Sequence, residues 1–410
     1  MTPPRLGLGE RDRRWAGLRA IMEAVGIEAM VVGSFGGRER LESYLIDDFL
    51  DSIVILPRRS PPVVLAFSTS RVSRAFESAR RGEDIWVPDI RIDGGGAGVA
   101  RVLAERGLGA ARIGLVGLGP TAPGEMEGLL PLGFWQHLTK AAPDAEFCDV
   151  TRDFTDFILL KSDDELALMR HAAAVSEAAC AAMIAACRPG ASEADIYSDI
   201  MHTIHRHGCG TRYPFLSLQS GPDNIGWGEP RWLLRAEPPR TLASGDLVQA
   251  EIHTHYGGQE AQVQMSVALD PVGDEVRRCE TAAVASWQAG VAAVRAGATI
   301  DAVVAAMAAP IGEAGAWSKT PLVHTTTFGA TGFTAVGREQ IAGTREGAIE
   351  GQARVGVRRG DLVLCPGMCL ELEPNACIGQ VRVNIGGIVV VREQGAEVLN
   401  DLSTRVHHRG

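Results

Sequence analysis

Residues 245–264 read GDLVQAEIHTHYGGQEAQVQ, and this stretch decides the fold. Runs of alternating apolar and polar residues flank Gly257 and Gly258, the pattern of two antiparallel strands joined by a tight turn. Alternate side chains of a strand lie on the same face of the sheet. We therefore expect one face of this hairpin to gather acids, imidazoles and amides as a functional site, from Glu251, His253, His255, Glu260, Gln262 and Gln264.

The composition limits the classes of function. The chain has 410 residues, of which 46% are hydrophobic and 22% are charged, as in a soluble globular protein with two domains. A net charge of -10 argues against nucleic acid or an anionic membrane as a partner, so we expect a small-molecule substrate. The cysteines form no CxxC pairs, and no apolar run suits a secretory leader or a membrane span. These features predict a cytoplasmic protein with reduced thiols.

Residues 1–150 are expected to form a smaller α/β domain. Apolar residues recur at helical spacing over residues 11–25, and strand-like apolar runs follow at 29–32, 51–56, 63–67 and 113–116. The glycine-rich run at 94–98 lacks the GxGxxG order of a phosphate-binding loop and a strand directly before it. We interpret that run as a flexible loop.

Residues 151–410 are expected to form a second domain, of the α+β class. Ser162 and Glu165 have the spacing of a capping box, which predicts the start of an Ala-rich helix that runs to about residue 186. Another helix is predicted after Ser192, and a later pair at residues 275–295 and 300–315 repeats this layout. Such an internal repeat is typical of a domain whose helices lie outside a curved antiparallel sheet.

Two later segments add polar residues at alternate positions. Residues 370–374 read LELEP and place Glu371 and Glu373 on one strand face, and residues 381–384 read VRVN and place Arg382 and Asn384 on another. Buried carboxylates need partners, so a pair between Glu373 and Arg382 would be either part of a binding site or purely structural.

These segments, together with the hairpin and the helix that opens at Lys161, resemble the pita-bread superfamily of creatinase, aminopeptidase P and prolidase. The resemblance covers residues from about 155 to 400 well and the earlier part more loosely. It implies a pita-bread catalytic domain preceded by a smaller creatinase-like α/β domain. It also implies a homodimer, because relatives of this architecture commonly are homodimers.

In the metal-dependent members, two aspartates, a histidine and two glutamates bind a pair of divalent cations. The resemblance places these roles on Glu251, Gln262, a segment near His324, Glu373 and Asn384. An amide oxygen brings no charge to offset that of the cations, so we expect a site without metal. The alternative is a single divalent cation on Glu251, Glu373 and one histidine of the hairpin.

The position of the family's metal-binding histidine stays open. Relatives carry a Gly-His-Gly or similar run where residues 322–329 of this chain read LVHTTTFG. If Phe328 and Gly329 anchor the match, the ligand position falls on Thr326 or Thr327. His324 is then a substrate-binding residue or a structural one.

Creatinase, by the same resemblance, hydrolyses a C–N bond without metal, with a histidine as acid and base and glutamates that orient a guanidinium-type substrate. The matching positions here are Gly228 and Gln264, so that mechanism does not carry over residue by residue. We expect catalysis by His253, His255, Glu251 and Glu373. Substrate binding is expected from Gln262, Gln264, Asn384, Arg382, Glu371, Trp227, Glu229 and His324.

Simpler interpretations of these residues stay open. His253 and His255 could run past the edge of the pocket and face solvent, and Trp227 and Glu229 could lie in a surface loop. The functional hypothesis is a metal-independent, creatinase-like hydrolase or lyase that acts on a small polar substrate that contains nitrogen. The alternatives are a metal-dependent Xaa-Pro peptidase and a non-catalytic binding protein on the same fold.

Overall fold

The computed structural model describes residues 3–33, 35, 40–48, 50–120, 128–212, 215–223, 225–319, 321–326, 331–332, 339, 341–350 and 359–410. The chain divides into two compact units. The N-terminal unit is Arg5–Ile158, and the C-terminal unit holds nearly all of residues 159–410. Within the described ranges, no helix is both long enough and apolar enough to cross a membrane.

The N-terminal unit is built around a six-stranded mixed sheet in the order β4-β3-β2-β1-β5-β6. Its strands are β1 (Ala29–Gly33), β2 (Ser52–Pro57), β3 (Val63–Ala66), β4 (Ile90–Ile92), β5 (Arg112–Val116) and β6 (Glu146–Asp149). Its helices are α1 (Leu8–Val25), α2 (Ser43–Ile46), α3 (Thr69–Arg80), α4 (Gly95–Glu105), α5 (Leu132–Ala141) and α6 (Thr151–Leu159). Separate apolar clusters cover the two faces of the sheet, because the strands are apolar on both sides.

Two details differ from the sequence predictions. Strand β4 ends directly before the glycine-rich run, and helix α4 begins inside that run, at Gly95, so the interpretation as a flexible loop was wrong. Helix α6 falls after the predicted domain boundary at residue 150, yet Phe154 and Ile158 are buried in the core of the N-terminal unit. Burial of these two side chains explains why the units divide after Ile158.

In its described residues, the C-terminal unit combines one mixed and two antiparallel sheets with helices. Its strands are β7 (Leu216–Gly221), β8 (Leu247–Tyr256), β9 (Gln259–Leu269), β10 (Trp317–Ser318), β11 (Val323–Thr325), β12 (Thr331–Gly332), β13 (Cys369–Leu372), β14 (Asn375–Ile378), β15 (Val381–Asn384), β16 (Gly387–Val391), β17 (Ala396–Val398) and β18 (His407–Arg409). Its helices are α7 (Asp163–Ala186), α8 (Glu193–Arg206), α9 (Arg231–Leu234), α10 (Asp274–Ala293), α11 (Ile300–Glu313) and α12 (Arg345–Glu350). The sheet orders are β18-β9-β8-β7, β12-β11-β13-β16-β17 and β10-β14-β15.

Each half of this unit places a helix pair on the apolar side of its sheet. Val248 and Ile252 of β8 pack in one core with Met183 of α7 and Ile200 of α8. The capping box predicted at Ser162 is present, because its hydroxyl accepts a hydrogen bond from the Glu165 backbone N–H at 3.1 Å.

The second half follows the same plan with helices α10 and α11. Leu370 and Leu372 of β13 pack in a core with Val303 and Met307 of α11. Because side chains alternate along a strand, Glu371 and Glu373 then lie on the opposite side, away from these helices. The polar sides of the two halves therefore meet inside the C-terminal unit.

Candidate functional site

The hairpin β8–β9 has the register that brings its polar side chains together in pairs. Directly opposite one another stand Glu251 and Gln264, His253 and Gln262, and His255 and Glu260. His253 is 2% exposed and His255 is 9% exposed, so neither histidine faces solvent. The polar face of the hairpin is thus buried. The interpretation in which the two histidines face solvent is wrong.

The strands β13 and β15 meet this face from the other half of the unit. Side-chain hydrogen bonds join the two halves: among them, the Gln264 amide donates to the Glu373 carboxylate, the Gln249 amide donates to the Arg382 carbonyl, and the Ser266 hydroxyl donates to Asn384 Oδ1. We call the facing side chains the polar layer, which consists of Gln249, Glu251, His253, Gln262, Gln264, His324, Glu371 and Glu373.

His253 lies between two carboxylates of the hairpin. Its Nε2 is 3.8 Å from Glu251 Oε2, and its Nδ1 is 3.6 Å from Glu260 Oε1. These distances are too long for hydrogen bonds, and both ring nitrogens lack a partner among the described residues. The imidazole is therefore held near negative charge with its nitrogens available to another molecule.

His324 forms a closer contact with a carboxylate. Its Nε2 is 3.3 Å from Glu373 Oε1, and its Nδ1 is 3.0 Å from the Thr325 carbonyl. A carbonyl only accepts, so Nδ1 carries a proton and Nε2 is the nitrogen that exchanges one. Thr327 and the rest of the run to residue 330, where the alternative ligand position falls, lie outside the described residues, while Thr326 is buried.

The two glutamates of the 370–374 segment are held in an environment that disfavours their charge. Burial, followed by the nearby charges of Glu373, Glu251 and Glu260, raises the pKa of Glu371 well above its ordinary value. Burial and then Glu251 raise the pKa of Glu373, against the opposing influence of Arg382. Both carboxyl groups thus hold a proton more readily than an exposed glutamate does.

Arg382 is buried near these glutamates, but its hydrogen bonds go elsewhere. Its guanidinium donates to Asn375 Oδ1 at 2.9 Å and to the Gly226 carbonyl at 2.7 Å. Arg382 thus makes no hydrogen bond to Glu373 among the described residues, and one of its two bonds, to Gly226, reaches the loop at residues 225–230. In that loop, Trp227 is 51% exposed and Glu229 is half-buried, so their side chains lie nearer the surface than the polar layer.

Asn384 is positioned by the scaffold. Its amide nitrogen donates to the Ala250 carbonyl at 3.3 Å, and its side-chain oxygen accepts from the Ser266 hydroxyl at 3.0 Å. The expected binding role of Asn384 therefore competes with a role in joining the two halves. Across the described residues, no three His, Cys, Asp or Glu side chains are grouped so that they could hold a metal ion.

Two members of this region were missed in the sequence. Gln249 precedes Glu251 by two positions and Ser266 follows Gln264 by two, so both continue the alternation on the polar face. Following the two-residue period to the ends of both strands would have found them. Asn375, which binds Arg382, follows directly after Pro374 and carried no comparable signal.

Comparison with known proteins places the chain in a family. The model for metallopeptidase family M24 matches residues 167–393, which is more than half of the chain. Creatinase from Bacillus sp. (strain B-0618) is 23% identical over 410 aligned residues, which cover 96% of this chain and 91% of that protein. An uncharacterized hydrolase/peptidase, y4tL, from Sinorhizobium fredii is 26% identical over 42% of this chain, and the match spans less than half (44%) of that relative.

Solved structures agree on the fold. The X-Pro aminopeptidase from Thermotoga maritima superposes with a TM-score of 0.74 at 17% identity, over 96% of this chain and 99% of that one. The dipeptidase PepE from Mycobacterium ulcerans gives a TM-score of 0.70 at 21% identity, over 98% and 99%. The chain therefore belongs to metallopeptidase family M24 and has the expected pita-bread fold. Its relatives place it among hydrolases of the creatinase and Xaa-Pro peptidase type.

Proposed function

We propose that this chain is a metal-independent hydrolase or lyase of the creatinase type, which acts on a small polar substrate that contains nitrogen. The observation that carries the proposal is the contact between His324 Nε2 and Glu373 Oε1, at 3.3 Å, inside the polar layer. A histidine with a fixed tautomer beside a carboxylate is suited to general acid and base catalysis.

The donor set supports a reaction without a metal. Hard divalent cations need several charged oxygen ligands, and a pair of them would need more charge than Glu251 and Glu373 provide. Gln262 and Asn384 stand where the family resemblance calls for carboxylates, and Asn384 is already bound to Ser266 and Ala250. The residues therefore do not fit a two-cation centre, although the family name is that of metallopeptidases.

His324 and Glu373 would move the protons of a hydrolysis. His324 Nε2 takes a proton from a water molecule while the oxygen of that water attacks the substrate carbon of the C–N bond. The proton then passes to the leaving nitrogen as the C–N bond breaks. His253, which lies between Glu251 and Glu260, is the second candidate for this role. The homodimer, the small-molecule partner and the cytoplasmic location stay predictions.

The test combines metal analysis with turnover. Purified protein is analysed for bound metal and then assayed with and without chelator on a panel of guanidino, amidine and amide compounds and on Xaa-Pro dipeptides. We expect turnover of a panel compound that chelator leaves unchanged. Stoichiometric metal, with Xaa-Pro hydrolysis that chelator abolishes and manganese restores, would mean a peptidase instead.

Four variants, one of them a control, assign the residues. His324→Asn and Glu373→Gln are expected to lower kcat by at least about a hundredfold, in line with the usual contribution of an acid–base group. His207→Asn is the matched control, because His207 is exposed at the end of its own helix, where its Nδ1 lies 2.8 Å from the Thr203 carbonyl. If His253→Asn alone abolishes turnover, the acid–base role belongs to the hairpin. If no compound on the panel turns over, the protein is a binding protein.

A further inference from the structure

A cavity of about 280 Å³ lies in the N-terminal unit, next to the carboxyl ends of strands β1, β3 and β4. These three strands run in the same direction, because β1 and β3 are both antiparallel to β2 and β4 is parallel to β3. In open α/β sheets, ligands bind in the crevice outside the carboxyl ends of the strands. The cavity shares no residue with the polar layer, so it is a candidate for a second binding site.

The walls of this cavity are mainly apolar. They include Ile53 and Leu65 of the sheet and two aromatic side chains, Phe35 and Phe67. A dry apolar cavity of about 150 Å³ is large enough to hold benzene, so this cavity has room for a ring and a polar group. Phe67 is 66% exposed, and its ring therefore lies where the cavity meets solvent.

Two aspartates also line the cavity, but their carboxylate oxygens are already bound. Asp51 accepts a hydrogen bond from Arg40 at one oxygen and lies 2.8 Å from the Arg71 guanidinium at the other. Asp93 accepts from Arg101 at one oxygen and from the backbone N–H of the next residue at the other. Every oxygen of the two carboxylates is thus engaged by a donor of the protein, and a cationic ligand would have to displace one.

Arg40, which also lines the cavity, has donors to spare. A guanidinium group carries five N–H donors. Among the described residues, the side chain of Arg40 donates to one oxygen of Asp51, and Glu42 is 3.9 Å away, too far for a hydrogen bond. A ligand that complements Arg40 must therefore bring an acceptor. A carboxylate matches the planar guanidinium better than a neutral acceptor does.

The backbone beside the cavity is held in an unusual conformation. Phe35 and Asp51 have φ angles of 46° and 47°, in the left-handed region that residues other than glycine seldom adopt. Such strain costs free energy and is concentrated at active sites and ligand-binding sites. Packing holds the aromatic walls in place. The Arg71 guanidinium lies 6.0 Å from the centre of the Phe67 ring. The Phe35 ring packs edge-on against the Phe134 ring, with 4.8 Å between their centres.

We propose that this cavity binds a small organic carboxylate with a ring-sized apolar body. The carboxylate accepts hydrogen bonds from Arg40, and the body packs against the aromatic and aliphatic walls. Gly94 completes the lining, and a Cβ atom there would meet no other atom within 4 Å. Its φ of -171° is extended, so a larger residue can stand at this position without backbone strain. The site goes beyond the proposed function, because none of its residues takes part in the proposed proton transfer.

Methyl NMR of the intact protein tests the site, because Ile53 and Leu65 line it. Benzoate is titrated alongside benzyl alcohol, which keeps the ring without the charge, and acetate, which keeps the charge without the ring. We expect saturable shifts of the Ile53 and Leu65 methyl signals with benzoate. The affinity for benzyl alcohol should be at least about tenfold lower, because a hydrogen bond to a charged group is lost. Acetate should not saturate the site.

Two variants and a control assign the residues. Arg40→Met should weaken benzoate binding by at least about tenfold and leave benzyl alcohol binding unchanged. Gly94→Leu should abolish binding of both compounds, because the side chain fills the cavity. Gly133→Leu is the matched control and should bind benzoate as the wild type does. Gly133 lies on helix α5 outside the cavity, and a Cβ atom there would also meet no other atom within 4 Å.

The proposal is overturned if benzoate does not saturate the methyl shifts, or if benzyl alcohol or acetate binds as tightly as benzoate. It is also overturned if Arg40→Met, or a folded Gly94→Leu variant, keeps the affinity of the wild type for benzoate. If Gly94→Leu does not fold, Arg40→Met decides, with benzyl alcohol binding as the check that the cavity is intact. Turnover on the compound panel has no bearing on these outcomes, so this site and the proposed hydrolase can fail separately.

Discussion

Glu10 in the N-terminal unit and Glu371 in the C-terminal unit are both buried carboxylates, with 4% and 0% of their surface exposed. Glu10 receives hydrogen bonds at 2.7 Å from both Arg13 and Arg14. Burial acts to raise the pKa of Glu10, but the two arginines outweigh it and hold that pKa below its ordinary value. Glu371 has no hydrogen-bond partner among the described residues, and its pKa is raised.

The difference separates a carboxylate whose charge is compensated by arginines of its own unit from one whose charge has no hydrogen-bonded partner among the described residues. A buried ion whose partners are built into the fold is compensated within the folded state. A buried carboxylate that lacks partners costs stability, and such a cost persists where function requires it. The comparison predicts opposite effects when each glutamate is replaced by glutamine.

The largest effect is expected for Glu10→Gln. This change leaves Arg14, which is 2% exposed, as a buried cation without its carboxylate. Breaking a buried pair in this way should lower the free energy of unfolding of the N-terminal unit by about 3 to 5 kcal/mol. Urea unfolding followed by hydrogen exchange in helix α1 measures the loss.

Asp12→Asn is the matched control on the same helix. Asp12 pairs with Arg11 at 2.7 Å, but its side chain is 63% exposed, so the pair contributes little. If both variants unfold at the same urea concentration, the loss of Glu10 does not destabilise the unit. The conclusion that Glu10 stabilises the N-terminal unit is then wrong.

A smaller effect of opposite sign is expected for Glu371→Gln. The folded-state pKa of Glu371 is raised, so its contribution to stability is complete below the unfolded value and is lost as pH rises through the folded pKa. The glutamine variant has no such loss. Its free energy of unfolding should therefore exceed that of the wild type by a margin that grows as pH rises above about 4.5.

Glu10→Gln should show the reverse dependence on pH. The pKa of Glu10 is lowered in the folded state, so its contribution is present above the unfolded value and is lost as pH falls through the folded pKa. Unfolding curves for both variants from about pH 2 to pH 8 test the two signs together, because the Glu10 effect falls below about pH 4.5 and the Glu371 effect above it. A destabilised Glu371→Gln variant at pH 8 would show that Glu371 has a structural partner after all.

The sequence predicted the buried polar face near Glu371 better than it predicted the burial of Glu10. Strict alternation on both sides of Gly257 and Gly258 predicts the register of the hairpin, and with it the set of buried polar side chains. The contact of His324 with Glu373 was not predictable, because β11 is only three residues long and shows no periodicity. Short strands explain the other misses, such as β4 before the glycine-rich run.

The contributions of the buried charges to stability were also not predictable from the sequence. Glu10, Arg13 and Arg14 are spaced as on one helix face, a pattern usually typical of solvated charges, and only the fold shows that the pair is buried. Likewise, the LELEP run predicts that Glu371 and Glu373 share a face, but not that Gln264 and His324 reach Glu373 while neither reaches Glu371 with a hydrogen bond. Which carboxylate is left without a partner depends on how the two halves approach each other.

The smallest effect is expected for an ion pair that is exposed to water. This pair sharpens the comparison because it is hydrogen-bonded in the same way but is not buried. Arg405 donates to Asp401 at 2.7 and 3.1 Å, as in the Glu10 pair, but the Asp401 side chain is 74% exposed. Asp401→Asn should therefore lower the free energy of unfolding by less than about 1 kcal/mol. In 1 M sodium chloride that difference should vanish, because the salt screens exposed charges, whereas the loss in Glu10→Gln should remain. Asp401→Asn could instead lower the free energy of unfolding as much as Glu10→Gln does, with no reduction by salt. That result would mean that burial does not explain the contribution of the Glu10 pair to stability.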